Sequence, residues 1–192
     1  MVTDDQVPGD PGGESELNRH ANVTAFVIYK IKQMCHVFST LLKLSNYLIT
    51  YRWVNRSAGQ SVPDSAVPGG RDLDGSTIYV GRAYHAGDML PAKVIPEKNV
   101  AYVCHNGEEH PKSDFEVLCQ GEFAWEFCSN GSIPADAVVG GQTSDGEPLY
   151  IGRVLHNGSQ TVGKVQPSHG CLYIPFDGEE LSFRDYEVLA IH

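Results

Sequence analysis

The sequence predicts an all-β fold: two tandem, pseudo-symmetric antiparallel β repeats packed as one unit, behind an N-terminal extension that is partly helical or disordered. Three observations lead there. The chain is internally duplicated with an offset of about 71 residues. Gly and Pro together make 31 of its 192 residues (Gly 20, Pro 11), a share that favours turns over long helices. Between those turns lie short β-leaning runs, a pattern of antiparallel sheets. At 41% hydrophobic and 20% charged residues the chain has the apolar content to bury a core, which excludes wholesale disorder.

Residues 1–52 form the extension. They open with Asp4, Asp5, Pro8, Gly9, Asp10, Pro11, Gly12, Gly13 and Glu14, the reverse of the basic-then-apolar start of a secretory signal. An apolar stretch follows over 23–51, interrupted by Lys30, Lys32, His36, Lys43 and Asn46, so no membrane-spanning run is expected. Phe26, Ile31, Met34, Cys35, Phe38, Leu41, Leu42, Leu44 and Leu48 recur at helical intervals and predict an amphipathic helix.

The first repeat occupies 53–119 and the second 120–192. Trp53-Val-Asn-Arg-Ser57-Ala-Gly59 and Trp125-Glu-Phe-Cys-Ser129-Asn-Gly131 share their spacing, and residues 66–118 match 137–189 at 22 of 53 gapless positions. Gly69-Gly70 and Gly140-Gly141, then Asp74-Gly75 and Asp145-Gly146, read as turns that permit positive φ. Strands follow at 77–83 and 148–154, with Tyr79, Gly81 and Ala83 on one face and Ile78, Val80 and Arg82 on the other. His85-x-Gly87 and His156-x-Gly158 turn the chain, and Lys93-Val94-x-Pro96 and Lys164-Val165-x-Pro167 begin its return. Further strands are expected at 100–104 and 171–175. The Gly-Glu-Glu turns at Gly107 and Gly178 then lead into Asp114-Phe-Glu-Val-Leu118 and Asp185-Tyr-Glu-Val-Leu189. Trp53 and Trp125 are expected to anchor the core, and mid-strand Arg82 and Arg153 to pair with carboxylates such as Glu116 and Glu187. Two repeats leave edge strands, for which pairing between repeats or chains is a remedy.

Charge narrows the function. The net charge of -10 resides entirely in 53–192, and an acidic chain lacks the basic face that nucleic acid or anionic lipid demands. Cys35, Cys104, Cys119, Cys128 and Cys171 are odd in number and form no Cys-x-x-Cys pair, so reduced thiols are expected and zinc at finger-type spacing is not. No cofactor is expected. The sequons at Asn22, Asn55, Asn130 and Asn157 would stay bare in a chain without a secretory signal. The expectation is a cytoplasmic protein, with vesicles as a second place of work.

The residues Trp53…Val67-Pro-Gly-Gly70…Asp74-Gly75…Tyr79-Val-Gly-Arg82-Ala…His85…Gly87…Pro91-x-Lys93-Val94…Tyr102…Gly107-Glu108…Phe115-Glu-Val-Leu118, with their second set, resemble the tandem DM-nine repeat family over about 53–190. That repeat was catalogued in fruit-fly proteins and occurs in mannose-binding invertebrate lectins and in natterin-like proteins. The resemblance implies an all-β two-repeat fold, an intertwined homodimer, recognition of mannose or mannose-containing glycans, and a role in innate immunity. It also implies sugar contacts from the acid after the Gly-Gly pair and from the Lys-Val lysine, here Asp72 and Lys93. In the second repeat Lys164 is kept, but Thr143 stands opposite Asp72, leaving Asp145 or a residue of the other repeat to supply the acceptor. Nothing in the chain resembles the pore-forming module of natterin-like proteins.

The chemistry of a sugar site agrees with those positions. Sugar hydroxyls both donate and accept, so carboxylates beside an ammonium recognise them through charge-assisted bonds. Asp72, Asp74, Lys93, Glu108 and Glu109 offer such groups in the first repeat, and Lys164, Asp145 and Glu179 in the second. The Asp-Gly pairs also serve as plain hairpin turns, and Tyr79, Tyr102, Tyr150 and Tyr173 either pack in the core or stack on a pyranose. An interaction protein of the same fold without sugar binding is the alternative. Catalysis is not expected: adjacent carboxylates such as Glu108 and Glu109 do not straddle a scissile bond, and no nucleophile elbow, metalloprotease helix or phosphate loop occurs.

Overall fold

The structure, a computed structural model, describes residues 28, 30–32, 34 and 51–192. Residues 28, 30–32 and 34 are helical and exposed; the remainder of the expected amphipathic helix lies outside the described residues. Among the described residues no helix is long and apolar enough to cross a membrane.

The first repeat supplies β1 (Arg52–Ser57), β2 (Pro68–Arg71), β3 (Thr77–His85), β4 (Asp88–Ile95), β5 (Val100–His105), β6 (Glu108–Lys112) and β7 (Asp114–Cys119). The second repeats the set as β8 (Phe123–Ser129), β9 (Val139–Gln142), β10 (Pro148–His156), β11 (Ser159–Gln166), β12 (Cys171–Phe176), β13 (Glu179–Phe183) and β14 (Asp185–Ile191). All-β architecture and pseudo-symmetry are as the sequence predicts, and the β3–β4 and β10–β11 ladders are regular antiparallel pairs.

Three ladders cross between repeats. β2 pairs with β11 at Arg71 and Gln160, β4 with β9 at Met89 and Gln142, and β6 with β13 at Glu108 and Glu179. Hydrogen bonding therefore runs from β3 through β2, β11, β12, β13, β6, β5 and β4 back to β3, a closed ring of eight strands. Among the described residues, β1 and β8 remain as the outer strands, each paired on one side.

The crossings correct one expectation. Gly70 and Gly141 are not turn residues; they lie inside β2 and β9. A Cβ on Gly70 would sit 1.9 Å from the Gln160 carbonyl oxygen, and one on Gly141 2.0 Å from that of Met89. Glycine is needed because two backbones meet there. The Asp-Gly turns do behave as read: Gly75 and Gly146 both take φ +87, and each donates to the carbonyl three residues back, at Asp72 and Thr143.

Both faces of β3 are covered. Ile78 and Val80 join Ile151, Val162 and Leu189 in a cluster shared by the two repeats, while Ala83 and Tyr79 face Leu90, Val94 and Val117 on the other side. Fully burying such an aliphatic side chain stabilises by about 1.5–3 kcal/mol. Trp53 and Trp125 pack against the shared cluster. Arg82 lies 4.3 Å over Trp53 and is paired with Glu116; Arg153 lies 4.1 Å over Trp125 and 2.6 Å from Glu187. The described cysteines, Cys104, Cys119, Cys128 and Cys171, are free thiols.

Candidate functional site

The interleaving builds two matching cavities, each walled by both repeats. In the first, β4 carries Lys93 inward, and a 3-10 turn at Pro96–Lys98 swings Lys98 over the β2–β3 hairpin. Asp72, Leu73, Lys93, Lys98, Tyr102 and Glu109 line it from the first repeat, with Asn157, Phe176 and Asp177 opposite; its volume is about 500 Å³. That size lies within the about 300–1,000 Å³ range of small-ligand sites.

Lys93 is only 5% exposed, yet its ammonium forms part of the cavity wall. It donates to the Pro175 carbonyl of the other repeat at 2.8 Å and to Glu109 Oε1 at 3.1 Å, with the Tyr102 ring centroid 5.0 Å away. Two of its three N–H groups are thus engaged. Glu109 Oε2 in turn accepts from the Gly178 N–H at 2.9 Å. Asp72 Oδ1 accepts from the Leu73 N–H, and its Oδ2 meets Lys98 Nζ at 2.6 Å. Burial pushes the Asp72 carboxyl up, but Lys98, the Leu73 N–H and the Lys93 charge together hold it below its ordinary value. Asp74 is exposed, 3.0 Å from the same Lys98, and its carboxyl is held at about 2 by the Ser76 N–H and hydroxyl and by Lys98.

The second cavity, about 400 Å³, is lined by Thr143, Lys164, Gln166, His169, Tyr173 and Glu180, with Asp88, His105, Asn106 and Gly107 from the first repeat. Lys164 is 6% exposed. It donates to the Cys104 carbonyl at 2.9 Å and lies 2.8 Å from Glu180, repeating the Lys93 arrangement. Burial raises the Glu180 carboxyl, but Lys164 and the Gly107 N–H outweigh it and keep the group below its ordinary value. Burial pushes the Tyr173 hydroxyl up to about 12. The acid missing at Thr143 is replaced across the cavity. Asp88 of the first repeat accepts from the Ser144 N–H at 2.7 Å; at the matching place in the first cavity stands Ser159, whose hydroxyl donates to Asp72 at 3.4 Å. The carboxylate has changed sides.

Asp72, Lys93 and Lys164 therefore lie on cavity walls. Glu108, Glu179 and Asp145 do not: all three are exposed. Glu108 and Glu179 face each other across the β6–β13 ladder, and strand alternation turns the next residues, Glu109 and Glu180, inward. Asp145 lies at the tip of the β9–β10 turn, pointing its charge to solvent. Sequence reasoning missed Lys98, Asp88 and Glu180. Lys98 carried a local signal, a proline-led turn directly after the Lys-Val strand. Asp88 and the Pro175 and Cys104 carbonyls carried none, since they arrive from the other repeat.

A family model described as DM9 repeat matches residues 72–183. Natterin-3 of Thalassophryne nattereri is 30% identical over 137 residues, covering 69% of this chain and 34% of its own length. Natterin-1 of the same organism is 31% identical over 81 residues, covering 42% of this chain and 19% of its own. The chain thus spans about a third or less of these relatives. Among solved structures, the nematode sperm cell motility protein MFP2B superposes with a TM-score of 0.56 at 14% identity, covering 74% of this chain and 47% of that one. This likeness concerns fold.

Proposed function

The chain belongs to the DM9 repeat family, and on that footing we propose that it is a carbohydrate-binding protein, a mannose-selective lectin with one site in each cavity. The observation that carries this reading is the Lys93 ammonium, with an N–H to spare, sharing a cavity with the Asp72 carboxylate. A sugar diol needs such a donor beside such an acceptor, and Tyr102 and Phe176 offer flanking rings for a pyranose. Two sites per chain, doubled in a homodimer joined through β1 or β8, raise weak single-site affinity by avidity. The reading includes glycan recognition in innate immunity, a cytoplasmic or vesicular location, and no catalysis.

Calorimetry with mannose and mannan tests it. Wild type is expected to bind, and Asp72→Asn to weaken the first site by about tenfold, the worth of one charge-assisted bond. An absence of heat with either sugar, or an Asp72→Asn variant that binds like wild type, rejects it. Sedimentation of the same samples checks the dimer.

A second reading, an interaction protein without sugar binding, draws on Tyr84 and Leu155. These apolar residues occupy equivalent places near the ends of β3 and β10 and are 63% and 70% exposed. A protein partner recovered equally well with and without excess mannose, and lost on Tyr84→Ser with Leu155→Ser, would favour it.

A further inference from the structure

Beside the second cavity, three hairpin segments bring imidazoles together. His85 closes β3, His105 closes β5, and His110 lies in β6. One ligand atom from each lies within 4.8 Å of those of the other two, and the rings of His85 and His110 stack at 4.1 Å. One ring is already oriented from behind: His110 Nε2 lies 3.1 Å from the His105 carbonyl oxygen, while Asp88 Oδ2 stands 3.6 Å from His105 Nε2, just outside hydrogen-bond range. Carbonyl and carboxylate partners of this kind hold metal-bound histidines, leaving the other ring nitrogen to face the ion.

The second repeat provides an internal comparison. At the equivalent positions it has His156, Phe176 and Leu181, and His156 packs edge-on against Phe176 and Phe183 at 4.8 and 5.2 Å. The fold therefore builds this corner from apolar side chains, and two extra imidazoles in the first repeat are not a packing requirement.

We propose that His85, His105 and His110 form a binding site for a divalent transition metal, zinc foremost. Three imidazoles are a donor set suited to zinc, copper or nickel, with at least one coordination position left to solvent. Tetrahedral ligation places the nitrogens about 3.4 Å apart, so the rings close inward and the His85–His110 stack opens. Lys112 opposes this: its ammonium lies 3.4 Å from His85 Nδ1 and repels a second cation at the cluster. Asp88 and Glu108, the latter 3.9 Å from His110, supply the facing negative charge.

The test is a zinc titration of the chelator-stripped full chain, read by calorimetry and by ring-nitrogen NMR. One equivalent is expected to bind, shifting the ring nitrogens of His85, His105 and His110. Installing the second repeat's residues, His105→Phe with His110→Leu, is expected to weaken binding at least about 100-fold, and Lys112→Gln to tighten it by about 3- to 10-fold. The proposal is overturned if those three rings keep their shifts at saturating zinc. It is equally overturned if the folded double variant binds as wild type does. The wild-type NMR readout decides the matter even where a variant fails to fold.

Discussion

In the proposed lectin, Lys93 is one side chain that serves stability and recognition together. The ammonium and Glu109 are both nearly buried, with side chains 6% and 10% exposed, so removing one strands the other. Lys93→Ala is expected to lower unfolding free energy by about 3 kcal/mol, and Lys93→Met with Glu109→Gln to recover most of that loss; urea unfolding measures both. Asp72 and Asp74 make stability depend on pH in acid. Their folded carboxyls lie below the unfolded value near 4, so their stabilisation is complete above it. It is lost as pH falls below that value through each folded one, which for Asp74 is about 2. Lys98 has the opposite sign: both acids raise it, and its contribution fades as pH climbs past about 10.5. Lys98→Met is therefore expected to flatten stability at both ends, and the proposed sugar binding at the first cavity, which has no histidine among the described residues of its wall, to stay level from pH 5 to pH 8 and weaken only in strong acid.

At the scale of strands, the same residue type fills two unrelated needs. Gly75 has nothing within 4 Å of a built Cβ, and only its φ of +87 resists substitution, so Gly75→Ala is expected to cost about 1–2 kcal/mol. Gly70 meets the Gln160 backbone at 1.9 Å, and Gly70→Ala must part the β2–β11 crossing, costing about 3 kcal/mol or more. Paired thermal melts check the order of the two. Strand positions were largely legible: the expected 77–83 and 148–154 fall inside β3 and β10, and 100–104 inside β5. Alternation assigned the two faces of β3, because the pleat leaves no choice. The sequence reading named Glu108 together with Glu109, and Glu179 without Glu180, because the inward face is decided by where β6 and β13 pair with their neighbouring strands.

For the molecule as a whole, the decisive feature is that neither repeat completes its own sheet or its own cavity. β4 and β11 each border a strand of the other repeat, and both buried lysines donate to a carbonyl across the boundary. Residues 49–119 expressed alone are expected to lack dispersed amide NMR signals, and mixing with 120–192 to restore them. A well-dispersed spectrum from either half would contradict this.

Duplication, strand content, the Asp-Gly turns, the Arg–Glu pairs and the conspicuous lysines were all written in the linear chain, because each depends on neighbours a few residues away or on a repeated pattern. What only folding decided was which carboxylates face inward, where Asp88 replaces the acid absent at Thr143, and that three separated histidines meet. The first two outcomes rest on ladders that join one repeat to the other and the third on the β3–β4, β4–β5 and β5–β6 pairings within the first repeat; contacts between separate strands leave no periodic trace in the sequence.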